Sequence, residues 1–168
     1  MKIGPLTYTW QDIVRGMVIY SVGDTIASLI LGEFSFYRVL GMIFIGGTVY
    51  AIEIPNYFRL IDHLVVKDDD LWSSFKRAGL AVLYFNPLWI ARHLLFIQIF
   101  SGRFHEAGWW LLRAGFWSFL ISLPVSIIAN YLIQNRFPYR WRFFASATFS
   151  SLMAIYYALS EVFLDEQK

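Results

Sequence analysis

Long apolar runs recur five times along this chain, and that recurrence decides most of what it can fold into. They extend from about Trp10 to Leu31, Tyr37 to Leu64, Lys76 to Ser101, Gly108 to Ile133 and Tyr139 to Phe163. At 1.5 Å of rise per residue, each is long enough to cross about 30 Å of hydrocarbon as a helix. A membrane β-barrel needs short segments that alternate in polarity, and these runs do not alternate. The expected fold is therefore all-α, a polytopic transmembrane bundle of four to five helices, with residues 1–168 as one domain. Composition agrees: 58% of the 168 residues are hydrophobic and only 15% are charged, against about a quarter charged in soluble domains. Membrane lipids are thus the first expected partners.

Several function classes fall away. A net charge of +2, with no dense basic stretch, gives nucleic acid no surface. The absence of cysteine removes disulfides, thiolate metal sites, iron–sulfur clusters and a cysteine nucleophile. His63, His93 and His105 share no ligand spacing, and no phosphate loop or nucleophile elbow is present. No cofactor, metal or catalytic residue is expected, and the chain reads as a non-enzyme. Met1 to Thr9 lacks the apolar core and cleavage site of a signal peptide.

The links between runs have the chemistry of exposed turns. Gly32-Glu33 and Ser101-Gly102 stand where helices should end, because glycine readily takes the left-handed conformation found there. The run Asp68-Asp69-Asp70 forms the longest polar link and reads as solvated charge rather than as a cation site. With five spans, nine basic residues (Lys2, Arg15, Arg59, Lys67, Lys76, Arg77, Arg136, Arg140, Arg142) fall on the N-terminal side. Arg38, Arg103, Arg113 and Lys168 fall on the other. The excess predicts a cytoplasmic or equivalent N-terminus, with the acidic end Glu161 to Lys168 opposite. Tyr8, Trp10, Tyr37, Trp72, Trp109, Trp110, Tyr139 and Trp141 lie near segment ends, where amphipathic rings favour the headgroup region.

Charges inside the runs are the candidate functional residues. Asp24 lies about 21 Å into the first run, where a lone carboxylate costs several kcal/mol unless paired, protonated or wetted. Arg92 comes at about 24 Å when counted from Lys76, so an Asp24–Arg92 pair at matching depth is expected. Such a pair either fixes helix rotation or faces a pore. Glu53 lies about 15 Å from the inner end of the second run, close to Pro55. Broken turns are predicted at Pro55, at Asn86-Pro87 and at Pro124, and unwound backbone in a membrane lines cavities or leans on neighbours. Ala114, Ser118, Ser122, Ser126 and Asn130 recur every fourth residue, and Ala147, Ser151, Ala154 and Ala158 make a second thin stripe. Gly41, Gly46 and Gly47 thin the second run. Close helix packing is the plainer reading of such stripes. A hydroxyl-lined wall with Ser118, Ser122 and Ser126 facing water is the functional one.

Gly23-Asp24-Thr25-Ile26-Ala27 resembles the Gly-Asp-x-Ile-Ala of the first helix in the small peroxisomal membrane protein family, which has mitochondrial inner-membrane relatives linked to mitochondrial DNA maintenance. Arg38, Gly46, Tyr57-Phe58 and Ile61-Asp62 fall where that family has an arginine, a glycine, an aromatic pair and a Leu-Asp. Pro124, Asn130-Tyr131, Pro138, Arg142 and Tyr157-Ala158-Leu159-Ser160 resemble its later elements. The chain departs from the pattern at Gly41, Ala51-Ile52, Pro55 and Ala81-Val82, and needs an insertion near Pro138, as a remote member would. The resemblance implies a small helical bundle, usually of four spans, in a mitochondrial inner or peroxisomal membrane, or in the plasma membrane if the source is bacterial. It also implies a weakly selective channel for ions or small metabolites. Asp24, Glu53 and Arg92 are the expected intramembrane charged set of a homo-oligomeric channel. The rival is an accessory or scaffold subunit of a larger membrane complex. A proton-coupled transporter would need matched broken helices in two halves, which Pro55, Pro87 and Pro124 do not supply.

Overall fold

The computed structural model describes residues 2–3, 6–67 and 70–165, with side chains over 6–67 and 70–159. Asp68, Asp69 and residues 166–168 of the acidic C-terminal end lie outside the described residues. A two-stranded antiparallel ladder opens the chain, β1 (Lys2–Ile3) against β2 (Leu6–Thr7), with Lys2 opposite Thr7. Helices follow: α1 (Trp10–Ile30), α2 (Phe36–Ile45), α3 (Ala51–Leu64), α4 (Leu71–Tyr84), α5 (Pro87–Phe100), α6 (Trp110–Asn135) and α7 (Tyr139–Asp165). A π-turn, Gly46–Tyr50, joins α2 to α3 without interruption, and a single 3₁₀ turn, Phe104–Glu106, follows α5. The predicted runs thus become α1, α2–α3, α4–α5, α6 and α7. The chain is an all-α bundle. Four of its helical stretches, Trp10–Ile30, Phe36–Leu64, Leu71–Phe100 and Trp110–Asn135, are long and apolar enough to cross a membrane. It is a multi-pass membrane protein.

Helix ends follow local chemistry. Thr9 and Asp70 cap α1 and α4 by accepting from the backbone N–H of Asp12 and Ser73. Asn86 accepts from Leu88 and Trp89 at the start of α5, where Pro87 occupies the first helical position and needs no N–H partner. Gly32 (φ 69°) and Gly102 (φ 73°) end α1 and α5 in the left-handed conformation. Each sets up the same closing bond, from Glu33 N–H to Ser28 C=O at 2.8 Å and from Arg103 N–H to Gln98 C=O at 2.9 Å. Only one of the three expected breaks occurs. The α4–α5 stretch is interrupted at Asn86-Pro87, whereas α3 carries Pro55 and α6 carries Pro124 inside continuous helix. Around Pro55, the Tyr139 hydroxyl donates to the Pro55 carbonyl and the Asn56 amide to that of Ile52. The first bond ties α7 to this turn of α3, and the second braces the turn from within the helix.

Packing fixes chain direction. Arg38 meets Asp24 at one end of the α1–α2 pair and Gly47 meets Met17 nearer the other, so α2 runs antiparallel to α1. Arg15 donates to the Arg140 carbonyl and Ser151 to that of Ile19, so α7 runs parallel to α1. The core centres on Tyr20, Met42, Ile45, Tyr50, Ala51, Ile54, Phe58, Ile61, Phe143 and Ala147. Its tightest crossing is at Gly16 and Gly46, where a Cβ on either residue would collide with the backbone of the other. Gly23 lies equally close to the Ser151 side chain, Gly41 to the Phe100 ring and Gly115 to the Pro87 carbonyl. Small residues thus admit close approach at these crossings, to backbone at Gly16, Gly46 and Gly115 and to side chains at Gly23 and Gly41, the packing expected where helices gain little from excluding water. The outer faces carry the aromatic residues expected at headgroup depth, among them Trp10, Tyr37, Trp72 and Trp109, each mostly exposed.

Candidate functional site

Asp24 and Arg92 do not pair. Asp24 is instead held by Arg38 across the α1–α2 turn, through Nε to Oδ2 and Nη2 to Oδ1, both at 2.7 Å. Both side chains are 5% exposed. Depth counting missed this partner for two physical reasons. The third run begins at Leu71 and is interrupted at Asn86-Pro87, so counting straight from Lys76 misplaces Arg92. Arg38 also lies one tight turn from Asp24, which makes it the nearest cation in a helical hairpin. The signal was present in the sequence as an arginine at the start of the second run.

Arg92 pairs with Glu53. Its Nη1 donates to Oε1 at 2.9 Å and its Nη2 to Oε2 at 2.6 Å. The Tyr84 hydroxyl donates to the same Oε2 at 2.9 Å. From the sequence, Arg92 is expected opposite Asp24, and Glu53 is expected only as an intramembrane charge near Pro55. Unlike the Asp24 pair, this one is open: Arg92 is 34% and Glu53 36% exposed. It forms one wall of a groove of about 480 Å³ at the α4–α5 break, together with Tyr57, Leu83, Tyr84, Asn86, Leu88 and Trp89. The groove is positioned by three local features. The Asn86-Pro87 break separates Tyr84 from Trp89, the π-turn ends just before Glu53, and Tyr57 stacks on Tyr84 with centroids 4.5 Å apart.

Behind the pair lies a buried polar seam. The Tyr50 hydroxyl meets His93 Nδ1 at 2.7 Å, the His93 ring stacks on Trp89, and Tyr20 packs on Tyr50 at 4.6 Å between centroids. Such a seam orients α5 on α2–α3, since each ring is held by a hydrogen bond or a neighbouring face.

Two further charge clusters tie the ends of the bundle. Toward one end, Glu33 accepts two bonds from Arg103, both at 2.8 Å, and lies 3.7 Å from Arg38. The Arg103 hydrogen bonds hold the Glu33 carboxyl below its usual range against partial burial, and the charges of Arg103 and Arg38 act in the same direction. The Arg103 guanidinium is raised correspondingly by its bonds to Glu33. At the other end, Asp62 Oδ1 accepts from both Arg77 and Arg142, the latter at 2.6 Å. Arg77 also donates to the Val65 carbonyl and Arg142 to that of Phe137.

The serine row is held by packing. The Tyr157 hydroxyl of α7 donates to the Ser118 carbonyl at 2.8 Å, and Ser122 donates to the Phe119 carbonyl of its own helix at 3.2 Å. The Ser126 carbonyl accepts from the Asn130 amide at 2.9 Å. These contacts favour the thin-face reading for Ser118, Ser122 and Ser126. Comparison of the chain with protein-family models, with curated proteins and with solved structures finds no match in any of the three.

Proposed function

We propose that this protein passes ions or small solutes with weak selectivity, along a path bordering the Glu53–Arg92 groove. One observation carries the reading. An ion pair on two candidate spans keeps about a third of each side chain exposed at an open groove. Hydrocarbon against that edge costs several kcal/mol, and water or a polar solute removes the cost. The pair is neutral as a unit, and the Asp24–Arg38 pair is neutral and enclosed, so no fixed net charge selects cations from anions. A groove open to the outside of the bundle supports a path formed between copies of a homo-oligomer. The channel function implied by the family resemblance agrees, as would a mitochondrial inner or peroxisomal membrane, or a bacterial plasma membrane.

Planar-bilayer recording under a KCl gradient tests this. Glu53→Gln leaves Arg92 unmatched and shifts the reversal potential toward anion preference; Arg92→Gln shifts it toward cation preference. Shifts of one sign in both variants, or no current from folded wild type, overturn the reading. Silence combined with copurification of other chains in fixed ratio would favour an accessory subunit.

A further inference from the structure

We infer that the Glu53–Arg92 groove binds a small amphipathic zwitterion, a molecule carrying one ammonium and one carboxylate on an apolar body. The inference rests on the same groove as the channel reading but concerns occupancy, which is measured without any current.

The wall of the groove presents both signs of charge side by side. Glu53 already accepts from Arg92 and Tyr84, yet each carboxylate oxygen retains lone-pair capacity, and the exposed edge of Arg92 retains N–H donors. A monovalent ion binding to either group competes with the bidentate partner and leaves the other charge poorly matched. A zwitterion meets both at once, its ammonium on Glu53 and its carboxylate on Arg92, and the assembly stays neutral. Arg92 Nη1 and Nη2 each keep a second N–H beyond the one given to Glu53, and these donors can meet the ligand carboxylate. The rest of the lining is apolar or aromatic: Leu83 and Leu88 at the rim, Tyr57, Tyr84 and Trp89 beside the pair. That lining suits a hydrocarbon side chain. A volume of about 480 Å³ accommodates a ligand of amino-acid size.

Leucine, leucinamide (ammonium only) and 4-methylpentanoate (carboxylate only) share one apolar body and separate the charge requirement. Their binding to the purified protein in detergent micelles is followed by thermal unfolding against ligand concentration. Leucine is expected to bind at least tenfold more tightly than either analogue. Glu53→Gln should abolish the advantage over 4-methylpentanoate, and Arg92→Gln the advantage over leucinamide. Leu88→Trp fills the groove from an exposed position and leaves the ion pair intact, so it should lower affinity for leucine without lowering the unliganded midpoint. Equal binding of all three ligands, no binding of leucine, or undiminished binding to Leu88→Trp overturns the inference. Leucine binding by a protein that carries no current would refute the channel reading alone.

Discussion

Arg38 grips Asp24 through two parallel hydrogen bonds of 2.7 Å, joining α1 to α2 where both side chains are almost wholly enclosed. Because the pair has no open edge, its role is to set the rotation and depth of the two helices against each other. Glu53–Arg92 has the same bidentate chemistry, yet a third of it is exposed. The bundle therefore holds one enclosed ion pair and one that is open to its surroundings.

Breaking the enclosed pair should destabilise the bundle strongly. Removing one member leaves an uncompensated charge, a loss of about 3–5 kcal/mol for buried pairs. Arg38→Gln is expected to unfold at markedly lower temperature in micelles, and Asp24→Asn to fall less, because Glu33 remains 3.7 Å from Arg38. The double variant Asp24→Asn/Arg38→Gln should recover part of the loss in a double-mutant cycle. Additive losses would show that the two side chains act independently.

At the opposite end, ranking rather than magnitude is diagnostic. Asp62 carries one negative charge against the two positive charges of Arg77 and Arg142. Asp62→Asn leaves two enclosed guanidinium groups facing each other, whereas Arg142→Gln leaves a neutral Asp62–Arg77 pair. Thermal unfolding should therefore place Asp62→Asn well below Arg142→Gln, with wild type highest. The reverse order would mean that the Arg142 contacts with the Phe137 carbonyl and Gln134 outweigh the shared carboxylate.

The Gly16–Gly46 crossing admits no side chain. A Cβ at Gly16 would meet the Gly46 carbonyl and one at Gly46 the Gly16 carbonyl, both backbone atoms that no rotamer change can move. Gly46→Ala is expected to cost about 1–3 kcal/mol through overpacking. Gly79→Ala meets nothing within 4 Å and sits inside α4, so it should be neutral or slightly stabilising. Equal midpoints for the two alanine variants would remove the crossing from the description of the fold.

Much of this architecture is legible in the sequence because its cause is local. Run length and polarity fix the helices, glycine fixes the ends of α1 and α5, and Asn86-Pro87 fixes the break in the third run. The ion-pair partners are less legible, since pairing depends on crossing angles and on where each helix starts. Arg92 and Asp24 match in counted depth, but Glu53 and Arg38 are nearer in space. Asp62, Arg77 and Arg142 stand out singly in the sequence, but nothing there joins them. They read as charges at segment ends, and only the convergence of α3, α4 and α7 makes them one unit. Serine spacing could not separate a wet wall from a packed face, because the same period of four serves both.

Chain direction provides a topological prediction. α7 runs parallel to α1, as the Arg15–Arg140 and Ile19–Ser151 contacts require, so its C-terminal end should emerge on the side opposite the N-terminus. The native chain has no cysteine, so single introduced thiols report without background. In right-side-out proteoliposomes, an impermeant maleimide should label Gln11→Cys and a C-terminal cysteine tag from opposite sides. Labelling from one side would place α7 along the interface instead of across the membrane.

Acid should loosen the end where Glu33 meets Arg103. The Glu33 carboxyl is held below its ordinary value of 4.5 first by the Arg103 hydrogen bonds. A depressed folded-state value means that the unfolded chain takes up the proton first as pH falls. The contribution is therefore complete above about 4.5 and is lost as pH drops through the lower folded value. Glu33 is 39% exposed, so solvent screens the pair and the effect should be modest and salt-sensitive. Unfolding midpoints of wild type and Glu33→Gln should differ by a constant amount between pH 7 and 5, then converge below pH 4. High salt should narrow the gap at neutral pH. A difference that persists unchanged into acid would assign the stabilisation to the packing of the Glu33 side chain instead of its charge.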